Sequence, residues 1–191
     1  GKSLTLTNAA DTFNGVVSGS GRLVVAGGSE TLAGVNTHTG GTQVDAGATL
    51  SIASSTALGS GALDLVGSPT VSATLRTTAD VVITNAITVS GDPTFTVAPG
   101  TTTTINSVIA DGASAGDVVL NGGGTLNLTA VNTYTGPTTI DAGVFKLTGS
   151  GSIARSNVVT NNAVLDVTPA SGNVALGGTF TQAANGTLKM T

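Results

Sequence analysis

One segment of this chain occurs twice, and the two copies lie 96 residues apart. Leu32 to Gly47 reads LAGVNTHTGGTQVDAG and Leu128 to Gly143 reads LTAVNTYTGPTTIDAG, with ten of sixteen positions identical and no gap. Shared composition alone does not place Asn-Thr-x-Thr-Gly-x-Thr and Asp-Ala-Gly in one register twice. An internal repeat of this kind predicts an architecture of similar units that stack on one another.

Short apolar runs recur about every eight residues, a spacing typical of an all-β chain. Many of them alternate apolar residues with Thr, Ser or Asp, as in residues 63–65 and 126–128. This alternation indicates strands with one buried face. Gly, Asn, Ser and Asp lie between the runs and favour tight turns. No segment keeps a helical period, so we predict essentially no helix.

Strands this short could form a sandwich, a barrel or a β-helix, and composition favours the β-helix. Only 3% of the residues are aromatic and 8% are charged. Few large side chains are therefore present to fill a thick interior, whereas Val, Leu, Ile and Ala suit a narrow solenoid. We predict a single-stranded parallel β-helix of about eight rungs, each of roughly 20–25 residues.

The twin segments resemble the passenger-associated transport repeat, also called the autotransporter-associated β-strand repeat. That family's pattern runs roughly Gly-x-Leu-x-Leu-x-Gly-x-Asn-x-Tyr-x-Gly-x-Thr-x-Val-x-x-Gly-x-Leu. The later copy matches at Leu126, Leu128, Asn132, Tyr134, Gly136, Thr138, Ile140 and Gly143. The earlier copy matches at Leu32, Asn36, Gly40, Thr42, Val44 and Gly47. It departs from the pattern at His38, where an aromatic residue is usual.

The resemblance implies a right-handed β-helix in the stalk of a bacterial autotransporter passenger, exported across the outer membrane to the cell surface or secreted. Residues 1–191 are then expected to be one β-helix segment of a longer passenger. Repeat copies are expected near 4–21, where the match is degenerate, 28–52 and 124–147. The expected partners are neighbouring rungs of the full-length passenger, with a host surface or self-association as alternatives.

The residues for chemistry are few: one His, one Tyr, ten acidic residues and no Cys. His38 is the obvious candidate for acid–base catalysis, but it replaces Tyr134 in the repeat, which predicts a packing role. Asp45 and Asp141 are equivalent repeat positions rather than a carboxylate pair of the kind a glycosidase needs. We therefore expect no catalytic residue, no cofactor and no metal, with a polysaccharide-degrading β-helix enzyme as a remote alternative.

The charge and the hydropathy of the chain further restrict the kinds of partner that are expected. The net charge is −4 and the six basic residues are dispersed, which argues against nucleic-acid binding. No apolar run approaches the length of a membrane span, so no membrane insertion is expected. Two functions remain open. One is a structural stalk whose rungs support folding-coupled secretion, which we favour, and the other is an adhesive surface that contacts a host receptor, a glycan or another passenger.

Overall fold

A computed structural model describes residues 2–168 and 174–190, which form a parallel β-solenoid of about nine turns. The first three turns hold β1 (Ser3–Leu6), β2 (Thr12–Phe13), β3 (Arg22–Val25), β4 (Gly28–Leu32), β5 (Thr42–Asp45) and β6 (Ala48–Ile52). The middle three turns hold β7 (Leu63–Val66), β8 (Thr74–Thr77), β9 (Val81–Ile83), β10 (Ile87–Gly91), β11 (Thr94–Val97), β12 (Thr102–Ile105), β13 (Ile109–Gly116), β14 (Val118–Asn121) and β15 (Thr125–Leu128). The last three turns hold β16 (Thr138–Ile140), β17 (Val144–Leu147), β18 (Val158–Asn161), β19 (Val164–Asp166), β20 (Thr179–Gln182) and β21 (Thr187–Lys189).

The strands form three parallel sheets along the sides of the solenoid. The first sheet has the order β1-β3-β5-β7-β10-β13, and the second has the order β2-β4-β6-β8-β11-β14-β16-β18-β20. The third sheet has the order β9-β12-β15-β17-β19-β21. Among the described strands, only the second sheet therefore runs the full length, while the first ends at β13 and the third begins at β9.

The number of residues per turn is close to the predicted 20–25, with the shortest turns one residue below that range. Partners on neighbouring turns are 19 residues apart at Leu4 and Leu23 and 25 apart at Leu50 and Leu75. The alternation also holds, because Phe95 and Val97 of β11 point into the core while the residues between and before them face outward. The prediction of an all-β parallel β-helix is confirmed, with about nine turns in place of about eight.

The core is a continuous column of apolar side chains, because parallel stacking in register places like positions above one another. One such column in the second sheet runs Leu50, Leu75, Phe95, Leu120 and Ile140 from turn to turn. All of these side chains are buried. Within the part of the chain that the structure describes, no helix could span a lipid bilayer.

Candidate functional site: the corners of the two repeat copies

Each repeat copy consists of a strand, a long corner, a second strand, a tight turn and a third strand. The first corner is residues 33–41, between β4 and β5, and the second corner is residues 129–137, between β15 and β16. Neither corner contains a strand, yet both stack on the turn before them. The Thr37 amide donates to the Val17 carbonyl at 2.8 Å, and the Thr133 amide donates to the Ile109 carbonyl at 2.9 Å. A corner thus closes one side of the solenoid where a strand is absent.

The two copies occupy different sides of the solenoid. In the first copy the chain passes from the second sheet (β4) to the first (β5) and back to the second (β6). In the second copy it passes from the third sheet (β15) to the second (β16) and back to the third (β17). The second copy is therefore rotated by one side relative to the first. The same residues build a local corner, and that corner can be placed on any side.

A buried asparagine in each corner joins three successive turns. Asn36 Oδ1 accepts from the Val17 amide at 2.7 Å, and Asn36 Nδ2 donates to the Ala57 carbonyl at 2.6 Å. Asn132 Oδ1 accepts from the Ile109 amide at 2.9 Å, and its Nδ2 donates to the Ser152 carbonyl at 3.1 Å. Each side chain thus gives an acceptor to a backbone amide of the turn before it and a donor to a backbone carbonyl of the turn after it.

The aromatic position of each corner bonds to the threonine four residues later. Tyr134 Oη lies 2.6 Å from Thr138 Oγ1, and His38 Nε2 lies 2.9 Å from Thr42 Oγ1. All four side chains are buried, and burial raises the pKa of the Tyr134 hydroxyl and lowers the pKa of the His38 imidazole. His38 thus occupies the position that Tyr134 occupies in the other copy, with the same hydrogen-bond partner.

The remaining motif positions are apolar or glycine, and each has a physical reason. The structure buries the apolar ones completely, and these are Leu32, Val44, Leu126, Leu128 and Ile140. Gly47 and Gly143 have φ values of 81° and 76°, a region that side chains other than glycine rarely adopt. A Cβ at Gly40 would collide with the Gly21 carbonyl, and one at Gly136 would collide with Asp117.

The first turn, where a degenerate copy is expected, lacks a buried aromatic corner. Phe13 pairs with Leu32, so it lies before the corner rather than at the position of His38. Its side chain is 41% exposed. The backbone of Val17 lies beside His38 instead, because the His38 amide donates to the Val17 carbonyl at 3.1 Å.

Asp45 and Asp141, the carboxylates at equivalent repeat positions, have separate hydrogen-bond partners. No group of three or more His, Cys, Asp or Glu side chains that could hold a metal ion occurs among residues 2–168 and 174–190. Asp45 accepts from Gln43 beside it, and Asp141 accepts from Asn162 Nδ2 at 3.0 Å. Asp45 therefore makes a contact within its own strand, and Asp141 makes one to the next turn.

The stacking brings Asp92 and Asp117 together, and no local pattern predicts their proximity because they are 25 residues apart in the sequence. Asp117 follows β13, Asp92 follows β10, and the Asp117 amide donates to the Gly91 carbonyl at 2.8 Å. Burial and the neighbouring charge of Asp92 raise the pKa of Asp117 to about 6.

Asp117 should make the protein more stable in mild acid. Its pKa in the folded state lies above the ordinary 3.8, so this contribution grows as the pH falls below about 6 and is lost as the pH rises through about 6. Asp117→Asn should remove this pH dependence and add on the order of 1 kcal/mol at neutral pH, allowing for solvent screening of a half-buried group. Urea midpoints across this pH range measure it. Asp92→Asn should remove only part, since burial is the larger cause, and an unchanged pH slope in Asp117→Asn would contradict the assignment.

The outer face of the second sheet carries a column of seven residues with hydroxyl groups, interrupted once by Val119. Eight successive strands place one residue each in register, at about 4.8 Å per turn. These residues are Ser29, Thr49, Thr74, Thr94, Val119, Thr139, Thr160 and Thr181. The column contains no charged residue, and it forms a long polar surface beside the corners.

Comparison with known proteins agrees with this architecture. Residues 16–52 and 118–147 match the family described as passenger-associated transport repeat, and each range contains one of the two corners. Over 148 residues the chain is 36% identical to the adhesin BmaC autotransporter of Brucella suis biovar 1 (strain 1330). That match covers 75% of this chain but only 4% of the relative. No solved structure matches the chain significantly. The chain therefore carries two segments that match the passenger-associated transport repeat, and it is similar to a short part of an autotransporter adhesin.

Proposed function

We propose that this segment is a structural unit of a passenger stalk, and that the stacking of its turns supports folding-coupled secretion and surface display. The observation that carries the proposal is the pair of corner asparagines, each of which bonds to the turn before it and the turn after it. Bonds of this kind can be completed only as consecutive turns come together. The similarity to an autotransporter adhesin supports the same role at the cell surface or in a secreted passenger.

The mechanism follows from the fact that each turn contacts mainly its neighbours. A chain that emerges from a narrow pore can add turns one at a time, without waiting for distant segments. Each backbone hydrogen bond between strands contributes about 0.5–1.5 kcal/mol net, and each turn adds several together with buried apolar area. Formation of a new turn outside the membrane would therefore oppose backward movement of the chain. On this proposal the segment acts by folding and not as an enzyme.

The partners of this unit are further turns of the same kind. In the described residues, β1 and β2 are unpaired on one side at one end, and β20 and β21 are unpaired at the other. An open cleft of about 460 Å³ at the first end is lined mainly by apolar side chains, such as Leu4, Leu6 and Phe13, and also by Asp11 and Glu30. A neighbouring turn would pair with these strands and fill this cleft, which would also cover the exposed sheet edges.

The secretion proposal can be tested by weakening the corners within the full-length parent protein. Asn36→Ala together with Asn132→Ala removes both three-turn bridges without changing chain length. We expect less passenger on the cell surface, measured by protease accessibility, because the new turns hold the chain less firmly. Asn121→Ala is the matched control, since Asn121 is exposed and bonds only to the Gly122 amide beside it. Full display of the double variant would contradict the proposal.

A second candidate function is adhesion, and the hydroxyl column on the second sheet favours it. An uncharged row of hydroxyl groups offers repeated hydrogen-bond donors and acceptors to a neutral glycan. In the same assay, Thr74→Glu with Thr94→Glu should leave display unchanged but reduce cell adhesion. Thr102→Glu with Thr125→Glu on the third sheet serves as the control. Equal adhesion in all three proteins would leave the column with a purely structural role.

A further inference from the structure

The imidazole of His38, the single histidine of the chain, has one bonded nitrogen and one without a partner. Thr42 Oγ1 lies 2.9 Å from His38 Nε2 and donates its own proton to the Leu58 carbonyl at 3.2 Å. Thr42 must then accept from the ring, which assigns the proton of neutral His38 to Nε2. Nδ1 is the nitrogen that would take up a second proton. It is buried and has no hydrogen-bond partner.

Among the described residues, Nδ1 has no hydrogen-bond partner, and no charged side chain beside the ring compensates for burial. The backbone of Gly59 lies against it so closely that a Cβ there would be 2.7 Å from Nδ1. Around the ring, the segments at 17–19 and 56–59 contain no titratable side chain, and β5 contains only Asp45, which is half-buried beside Gln43. On the flanking strands β3 and β7, Arg22 and Asp64 pair with each other.

We propose that the corner of the first repeat copy opens in mild acid and that the corner of the second copy does not. Protonation would place a positive charge and an unpaired N–H group in the core, which is costly. Tyr134 makes the equivalent bond to Thr138 through its hydroxyl, but its ring has no second polar atom. Opening of the first corner would release the bonds of Asn36 to Val17 and Ala57 and so uncouple three turns.

The direction of the effect follows from the protonation equilibrium. Burial holds the pKa of His38 below its ordinary value of 6.5, and the Val17 carbonyl offsets this only in part. An opened corner therefore binds more protons than a closed one. The contribution of neutral His38 to the stability of the first corner is present in full above about pH 6.5. It is lost as the pH falls from there toward the lowered pKa of His38. Across that window the equilibrium constant for opening rises by up to tenfold per pH unit.

Hydrogen–deuterium exchange with mass spectrometry on the 191-residue chain tests this, because it resolves one corner from the other. After correction for intrinsic exchange, protection of the first corner (33–41) should fall by up to tenfold per pH unit below about 6.5. The second corner (129–137) should keep its protection. His38→Tyr should abolish the fall, and Tyr134→His should produce a like fall in the second corner while the first corner keeps its own. A fall that persists in His38→Tyr, or an equal fall in both corners of the unsubstituted chain, would overturn the proposal.

A second measurement uses only the unsubstituted 191-residue chain, so it remains decisive if either variant fails to fold. An NMR titration of the one histidine ring reports its protonation directly. We expect a pKa below 6.5 and loss of the first-corner amide signals over the same pH range. A pKa at or above 6.5 would overturn the proposal. The titration of Asp117 cannot imitate the result, because it stabilises the protein in mild acid.

Discussion

Phe145→Ala should destabilise the solenoid by about 4 kcal/mol, the usual cost of emptying a fully buried aromatic site. Phe145 in β17 is fully buried between Leu126 on the turn before and Leu165 on the turn after. Its removal leaves a cavity that stiff parallel strands on both sides cannot close. Urea unfolding followed by circular dichroism gives the free energy of unfolding.

The matched control for this substitution is Phe13→Ala. Phe13 has the same side chain, but it lies in the first turn and is 41% exposed. We expect Phe13→Ala to lower the free energy of unfolding by about 1 kcal/mol or less, because folding buries little of the apolar area of Phe13. Equal losses for Phe145→Ala and Phe13→Ala would contradict the assignment of the core.

Asn132→Ala should destabilise the protein by about 3 kcal/mol, more than the loss of one ordinary hydrogen bond. The substitution leaves the Ile109 amide without its partner. The carbonyls of Ser152 and Ala130 each lose one bond from the side chain but keep a backbone donor. A buried amide costs about 1–3 kcal/mol when unsatisfied. Urea unfolding measures the change.

Asn121→Ala is the control for the corner asparagines and should change stability by no more than about 0.5 kcal/mol. Asn121 is exposed, and its hydrogen bond is to the next residue of its own turn. Comparing Asn132→Ala with Asn121→Ala therefore separates the effect of losing hydrogen bonds between turns from the effect of losing any asparagine. A loss in Asn132→Ala no greater than that in Asn121→Ala would remove the physical basis of the proposed stalk function.

The strands and their parallel stacking could be predicted from sequence, because both depend on patterns of neighbouring residues. The alternation of Leu63, Asp64 and Leu65 predicts a strand with one buried face, and the structure has β7 there. The repeat predicts parallel stacking, because only stacked units can bury the same face again and again. The expected number of residues per turn follows from the same two signals.

The features that could not be predicted depend on how distant turns align. β13 reads IADGASAG and has only one large apolar residue, Ile109. It forms because its backbone pairs with β10 and because Asp111 accepts from the amides of Gly116 and Thr135. The hydroxyl column likewise takes one residue from each strand, so no short segment reveals it. The proximity of Asp92 and Asp117 depends on the same long-range register.

The rotation of the second copy is the clearest case of information that local sequence lacks. Both copies contain the same corner residues, but the side on which a corner lies depends on the total length of the turns before it. The 96 residues that separate the two copies make four complete turns and one further side of the solenoid. Gln43 and Thr139 are therefore equivalent in sequence but lie in the first and second sheets respectively.

Disulfide formation tests this rotated stacking most directly, because the chain has no cysteine of its own. Val119 and Thr139 are partners on neighbouring strands of the second sheet, at a Cα separation of about 4.8 Å that a disulfide can bridge. Ala110 lies in β13 of the first sheet and would neighbour Thr139 only if both copies occupied the same sides. We predict that Val119→Cys with Thr139→Cys forms an intramolecular disulfide and that Ala110→Cys with Thr139→Cys does not. Rapid oxidation of the second pair and not the first would contradict the stacking of the repeats.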